Sequence, residues 1–123
     1  MPSSTHGYPS AQWKAAKKEA LSILRKRASR EQPIAYSELA AEITGITFNA
    51  EDRPFHDLLG EISVEEHKAG RGMISVLVID TPPRDMKPGP GFFKLAVSLG
   101  LSARDEQRFW INEFKRVVAA NKM

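Results

Sequence analysis

The chain of 123 residues is long enough to bury one core and too short for two. With 41% hydrophobic and 27% charged residues it reads as an ordinary folded domain, which excludes collagen-like, low-complexity and wholly disordered classes. It has no cysteine, which excludes disulfides, thiolate catalysis and cysteine-ligated zinc, and its net charge is +3.

The first helix is expected from about Ala11 to Ser29. Trp13, Ala16, Ala20, Leu21, Leu24 and Ala28 form its apolar stripe, and Lys14, Lys17, Lys18, Arg25, Lys26, Arg27 and Arg30 cover the rest. Pro33 stops it, Ile34-Ala35-Tyr36 reads as a short extended piece, and Ser37 is a suitable N-cap for a second helix from Glu38 to about Ile43. After a loop over 44–53, Pro54 opens a third helix with Phe55, Leu58, Leu59 and Ile62 at i, i+3, i+4 and i+7. Gly60 and the capping-box pattern Ser63-Val64-Glu65-Glu66 predict a bend or restart near Ser63.

The run Met73 to Ile79 is apolar on both faces, the pattern of a buried strand. Thr81 to Gly91 reads as a loop rich in proline and glycine. A short helix follows on Phe92, Leu95, Ala96 and Leu99, ended by Gly100, and Ser102 is placed to cap a final helix from Ala103 to about Ala120. Trp110, Phe114, Val117 and Val118 would be its buried stripe. The expected fold is α+β and mostly helical, with helices packed on a small sheet centred on residues 73–80. The core should include Trp13, Leu24, Leu39, Leu58, Leu59, Ile62, Ile74, Val76, Val78, Phe92, Leu95, Trp110, Phe114 and Val117. Residues 1–10 are expected to be a flexible tail, and 11–123 a single globular domain.

The order of basic helix, extended piece, Ser-Glu-Leu-Ala-Ala-Glu-Ile helix, third helix and strand, over residues 13 to 80, resembles winged-helix domains. The resemblance implies a helix-turn-helix core whose third helix enters the major groove. Two features depart from that pattern. The connection between helices two and three is near ten residues, and the reading helix carries Glu51, Asp52, Asp57, Glu61, Glu65 and Glu66 against Arg53, charges that repel phosphate. The segments Leu58–Ser63, Gly72–Val78 and Pro88–Phe93 together are similar to a family of small, largely uncharacterised bacterial proteins, which implies one structural unit and supplies no catalytic residue.

Charge distribution directs the functional reading. Residues 1–50 hold seven basic against four acidic residues, 51–100 six against eight, and 101–123 five against three. The basic character thus belongs to the terminal helices, and a nucleic-acid backbone would meet Lys14, Lys17, Lys18, Arg25, Lys26, Arg27, Arg104, Arg108 and Lys115, with Arg116 beside them, if those helices share a face. The expected function is a non-enzymatic module contacting DNA or RNA backbone as an accessory or regulatory factor. The alternative is a protein-interaction module, such as an immunity or adaptor protein, whose acidic third helix meets a basic partner.

Pro88-Gly89-Pro90-Gly91 reads as a tight turn expected to dock Phe92 or Phe93 into the core, and any ligand groove is expected between Arg71, Gly89, Gly91 and Phe92. The prolines remove amide donors that a phosphate loop would need. Asp85-Met86-Lys87 with Asp80 upstream matches half of a metal-dependent nuclease site, a remote third reading. His56 and His67 are eleven apart, without a third ligand at metal spacing. No nucleophile elbow or histidine–carboxylate pair stands out, so the sequence points away from an enzyme and from a cofactor or metal. No apolar run approaches the roughly 20 residues that span a bilayer, and Met1 to Ser10 carries no signal pattern. A cytoplasmic protein without a membrane partner is the expectation.

Overall fold

A computed structural model describes residues 6–81 and 86–122. Helix α1 (Ser10–Ser29) lays Trp13, Ala16, Ala20, Leu24 and Ala28 into the core at helical spacing. A two-residue strand β1 (Ile34–Ala35) leads directly into α2 (Tyr36–Glu42). Residues 43–52 then tuck Ile43, Ile46 and Phe48 inward. The carboxylate of Glu19 accepts the amides of Thr44 (2.9 Å) and Gly45 (3.0 Å) and so ties this loop to α1.

Helix α3 (Arg53–Lys68) begins with proline in its first turn, where the missing N–H costs nothing. Its buried positions Phe55, Leu58, Leu59, Ile62, Ser63 and Glu66 repeat at i, i+3, i+4, i+7, i+8 and i+11. The helix runs unbroken, contrary to the restart expected at Ser63. That hydroxyl is buried and does not cap: it accepts the Ser75 amide (2.9 Å) and donates to the Ser75 hydroxyl.

The central apolar run is also corrected. Ile74–Leu77 winds into a 3₁₀ turn, and only Val78–Ile79 (β2) is extended. Strand β2 pairs in parallel with β1, Ile34 opposite Val78 and Ala35 opposite Ile79. An apolar run looks the same in sequence whether it becomes a buried strand or a buried helical turn. Here β1 offers two residues of edge, so the preceding four satisfy part of their backbone locally, as in Val76 N–H to Met73 O at 3.0 Å. The whole segment Met73–Ile79 is buried, and α1, α3 and α5 all pack on the 3₁₀ turn.

Helix α4 (Pro90–Ser98) buries Phe92, Phe93 and Ala96, and Gly100 closes it with φ +83° while its amide reaches Val97 O at 3.0 Å. Helix α5 (Glu106–Asn121) is capped by Asp105, whose side chain accepts the Arg108 amide, rather than by Ser102. Ser37 likewise caps nothing, since α2 starts one residue before it with Ala35 at the N-cap.

The expected core is buried except for Leu95, Trp110 and Phe114, which are half-buried. On α5 the buried face centres on Val117, Val118 and, unexpectedly, Glu113, whose Oε2 accepts the Met73 amide at 2.7 Å. The fold is therefore a mostly helical α+β unit with one two-stranded parallel sheet among the described residues. None of its described helices is long and apolar enough to cross a membrane. Residues 1–5 of the expected tail lie outside the described residues. Tyr8 stacks on Trp13 at 6.1 Å, and His6 reaches Asp57 at 2.8 Å.

Gly72 is where the backbone itself requires glycine. Its φ is +95°, and a Cβ there would stand 2.9 Å from Val117 Cγ2. Gly72→Ala should lower stability by about 2–4 kcal/mol, combining left-handed strain with a clash against a packed helix, as read by urea unfolding.

Candidate functional site

The basic first helix and the acidic third helix lie against each other. Lys17 bridges Glu61 (3.2 Å) and Glu65, Arg25 meets Glu66 (3.1 Å), and Trp13 donates its indole N–H to Glu61 (3.2 Å). Arg27 turns the other way, to Glu38 (2.8 Å) and the Pro33 carbonyl (3.0 Å). Three of the six α1 cations expected at a nucleic-acid contact therefore have carboxylate partners within the fold. The other three, Lys14, Lys18 and Lys26, are exposed and have none among the described residues.

Helix α5 packs on α1, so the terminal helices are neighbours. Arg104, Arg108 and Lys115 are exposed and have no ion-pair partner among the described residues. Within α5, Arg108, Ile111 and Lys115 follow one exposed face at i, i+3 and i+7, and the helix's two acids, Glu106 and Glu113, lie off it. Beside this face is a shallow depression of about 590 Å³ lined by Arg104, Arg108, Arg116, Phe109 and Asn112, together with Asp105 and Glu113. Arg116 also contacts Glu113 and the His67 ring, both at 3.4 Å. Guanidinium groups around an aromatic edge suit phosphate oxygens and a stacked base.

A second, larger groove of about 810 Å³ runs between α3 and the start of α4. Gly89, Gly91 and Phe92 line it as the sequence suggested, but Arg71 does not. Arg71 folds back on Glu66, hydrogen-bonding through Nε at 2.8 Å and through Nη2. Sequence reasoning missed the groove's Tyr36, Gly60 and Ser75. The available signal was Gly60, a glycine in a helix interior, which was read as a break.

The Tyr36 hydroxyl accepts the Gly89 amide at 3.0 Å, and burial, reinforced by nearby Asp80, raises its pKa. The His56 ring lies tilted beside the Tyr36 ring, centroids 5.1 Å apart, and its Nε2 sits 2.7 Å from the Ala50 carbonyl. Of the nuclease-like triplet, Asp85 lies outside the described residues, while Lys87 faces Glu106 at 4.0 Å. Among the described residues no three metal-ligating side chains converge. No family of known proteins, no curated protein and no solved structure matches the chain.

Glu66 is the most enclosed carboxylate of the ion pairs, with its side chain 3% exposed. Burial alone would raise its pKa, but hydrogen bonds from Arg71 and Arg25 outweigh that and lower it below 4.5. A depressed folded-state pKa contributes stability that is present above the unfolded value and lost as pH falls through the folded one. Stability should thus decline as the pH drops below about 4.5, the ordinary value for this group. Glu66→Gln should cost about 1–3 kcal/mol at neutral pH, with both arginines partly solvated, and should flatten that acid limb in urea titrations at stepped pH.

Proposed function

We propose that the chain is a non-enzymatic binding module that contacts a DNA or RNA backbone through α5 and the adjoining solvent face of α1, as an accessory or regulatory factor. The observation that carries this reading is the difference in charge pairing. The described acids neutralise Lys17, Arg25, Arg27 and Arg71, and leave Arg108 and Lys115 on α5, with Arg104 just before it, without ion-pair partners among the described residues. Cations held for internal structure are paired, whereas unpaired cations along one helix face retain their value for an external polyanion. The arginine-lined depression around Phe109 adds a place where a phosphate and a base would sit together.

A winged-helix-like architecture goes with this reading, supported by the order α1, β1, α2, α3, β2. The contact is nevertheless assigned to α5 and not to α3. The α3 stripe exposed to the groove carries Asp57, Glu61 and Glu65, and carboxylates on a reading helix would oppose the duplex. A cytoplasmic location is part of the proposal, and the absence of cysteine suits a reducing compartment.

Fluorescence anisotropy with labelled single-stranded and duplex oligonucleotides tests it. Binding should weaken steeply between about 50 and about 200 mM salt, with little sequence preference. Replacing Arg104, Arg108 and Lys115 together by alanine should reduce the slope of log affinity on log salt by about 2–3 and leave the unfolding midpoint nearly unchanged. No binding at the lower salt, or an unaltered slope in the triple variant, would remove the proposal.

A further inference from the structure

We infer that the groove between α3 and α4 is a docking site for a short basic segment of a partner protein, laid in extended form across Gly60 and Gly91. This surface is separate from the proposed nucleic-acid face, since the residues lining the two depressions do not overlap.

Two glycines carry the inference. Gly60 sits in the interior of α3, where alanine is intrinsically the better residue. Its φ is not positive, and a Cβ there would meet only Leu95 Cδ2, at the ordinary contact distance of 3.8 Å. Gly91 in the first turn of α4 also lacks a positive φ, and a Cβ there would meet nothing within 4 Å. Neither backbone geometry nor packing asks for glycine at these positions, in contrast to Gly72. Both line the same groove, where a missing side chain leaves room for a visiting main chain.

Charge identifies the visitor. The groove wall on α3 presents Asp57, Glu61 and Glu65, and Lys68 is the one lysine or arginine lining the groove. Each of those acids spends one oxygen inside the fold: Asp57 Oδ2 on His6 and Arg53, Glu61 Oε1 on Lys17 and Trp13, and Glu65 Oε2 on Lys17. The second oxygen of each has no partner among the described residues and remains available to an ammonium or guanidinium group. A polyanion is repelled here. Val64, Phe92 and Leu95 give the same groove an apolar floor. From Asp57 to Lys68 the α3 stripe is about 16 Å long, which matches about five residues of extended chain. A segment alternating basic and apolar residues would place cations on the acids and apolar side chains on the floor.

The probe is a fluorescein-labelled peptide of about seven residues alternating lysine and leucine, with a glutamate-for-lysine counterpart as control. The full chain should bind the lysine peptide and not the glutamate one. Gly60→Ala and Gly91→Ala should each weaken binding about tenfold by closing the space for the main chain, while their melting temperatures stay equal or rise by a few degrees. The alanine triple variant of Arg104, Arg108 and Lys115 should bind the peptide like the parent chain, so the two proposals fail separately. Equal peptide affinity in the glycine variants would overturn the inference, as would a melting temperature lowered by several degrees, which would make the glycines structural. Complete displacement of the peptide by equimolar spermine would also overturn it, by reducing the groove to a simple acidic patch.

Discussion

Five buried residues, Met73 to Leu77, pass through the middle of this domain without a sheet to hold them, and their backbone must find hydrogen bonds away from water. Leaving such a group unpaired costs about 1–3 kcal/mol. Two side chains meet the need. Glu113 reaches from α5 to the Met73 amide, and Ser63 reaches from α3 to the Ser75 amide. Both polar residues are buried, and both therefore also fix how their helices sit on the central turn. The close approach at Gly72 belongs to the same arrangement, because α5 comes near enough there to exclude a side chain.

Around this centre the charges sort themselves by what they touch. Acids on α3 face cations on α1, and Glu66 collects Arg25 from one direction and Arg71 from the other. Ion pairs at partly exposed positions contribute modestly to stability. Their larger consequence here is for the surface: they neutralise part of the positive charge on α1, whereas Arg108 and Lys115 of α5 stay exposed without ion-pair partners among the described residues. Lys17 shows the balance, since burial works to lower its pKa and hydrogen bonds to Glu65 and Glu61 raise it instead. The acids are not fully consumed either. Each of those on the groove wall retains an oxygen without a partner among the described residues, so the same helix that braces α1 also keeps negative charge at the groove.

Much of the packing was legible in the chain itself. The stripes on α1 and α3 emerged at helical spacing, and the turn before Phe92 was readable as a device for burying aromatics. Errors concentrated where a polar residue does an interior job. Ser63 looked like a helix start because serine followed by glutamate at that spacing usually caps; the Ser75 amide twelve residues away decided otherwise. Glu113 is absent from the expected stripe of α5 yet buried, and Trp110 and Phe114 sit less deep than that stripe implies. Arg71 was expected at the groove with Gly89, Gly91 and Phe92, yet Glu66 draws it away. The candidate site was less legible than the core. The groove's glycines were visible, but that they line one cavity depends on α4 folding back along α3.

The sequence by itself determined the helices, their apolar faces, the burial of Met73–Ile79 and the concentration of positive charge at the two ends. These are local or compositional properties, set by residue spacing and by the cost of exposing apolar surface. Only the tertiary structure decided that the buried run is a 3₁₀ turn with two paired residues, and which charges meet. Backbone conformation in a buried run follows the hydrogen-bond partners available, and those partners come from distant parts of the chain. Charge pairing is equally non-local: Lys17 and Glu61 are far apart along the backbone and within reach only because α1 and α3 pack together.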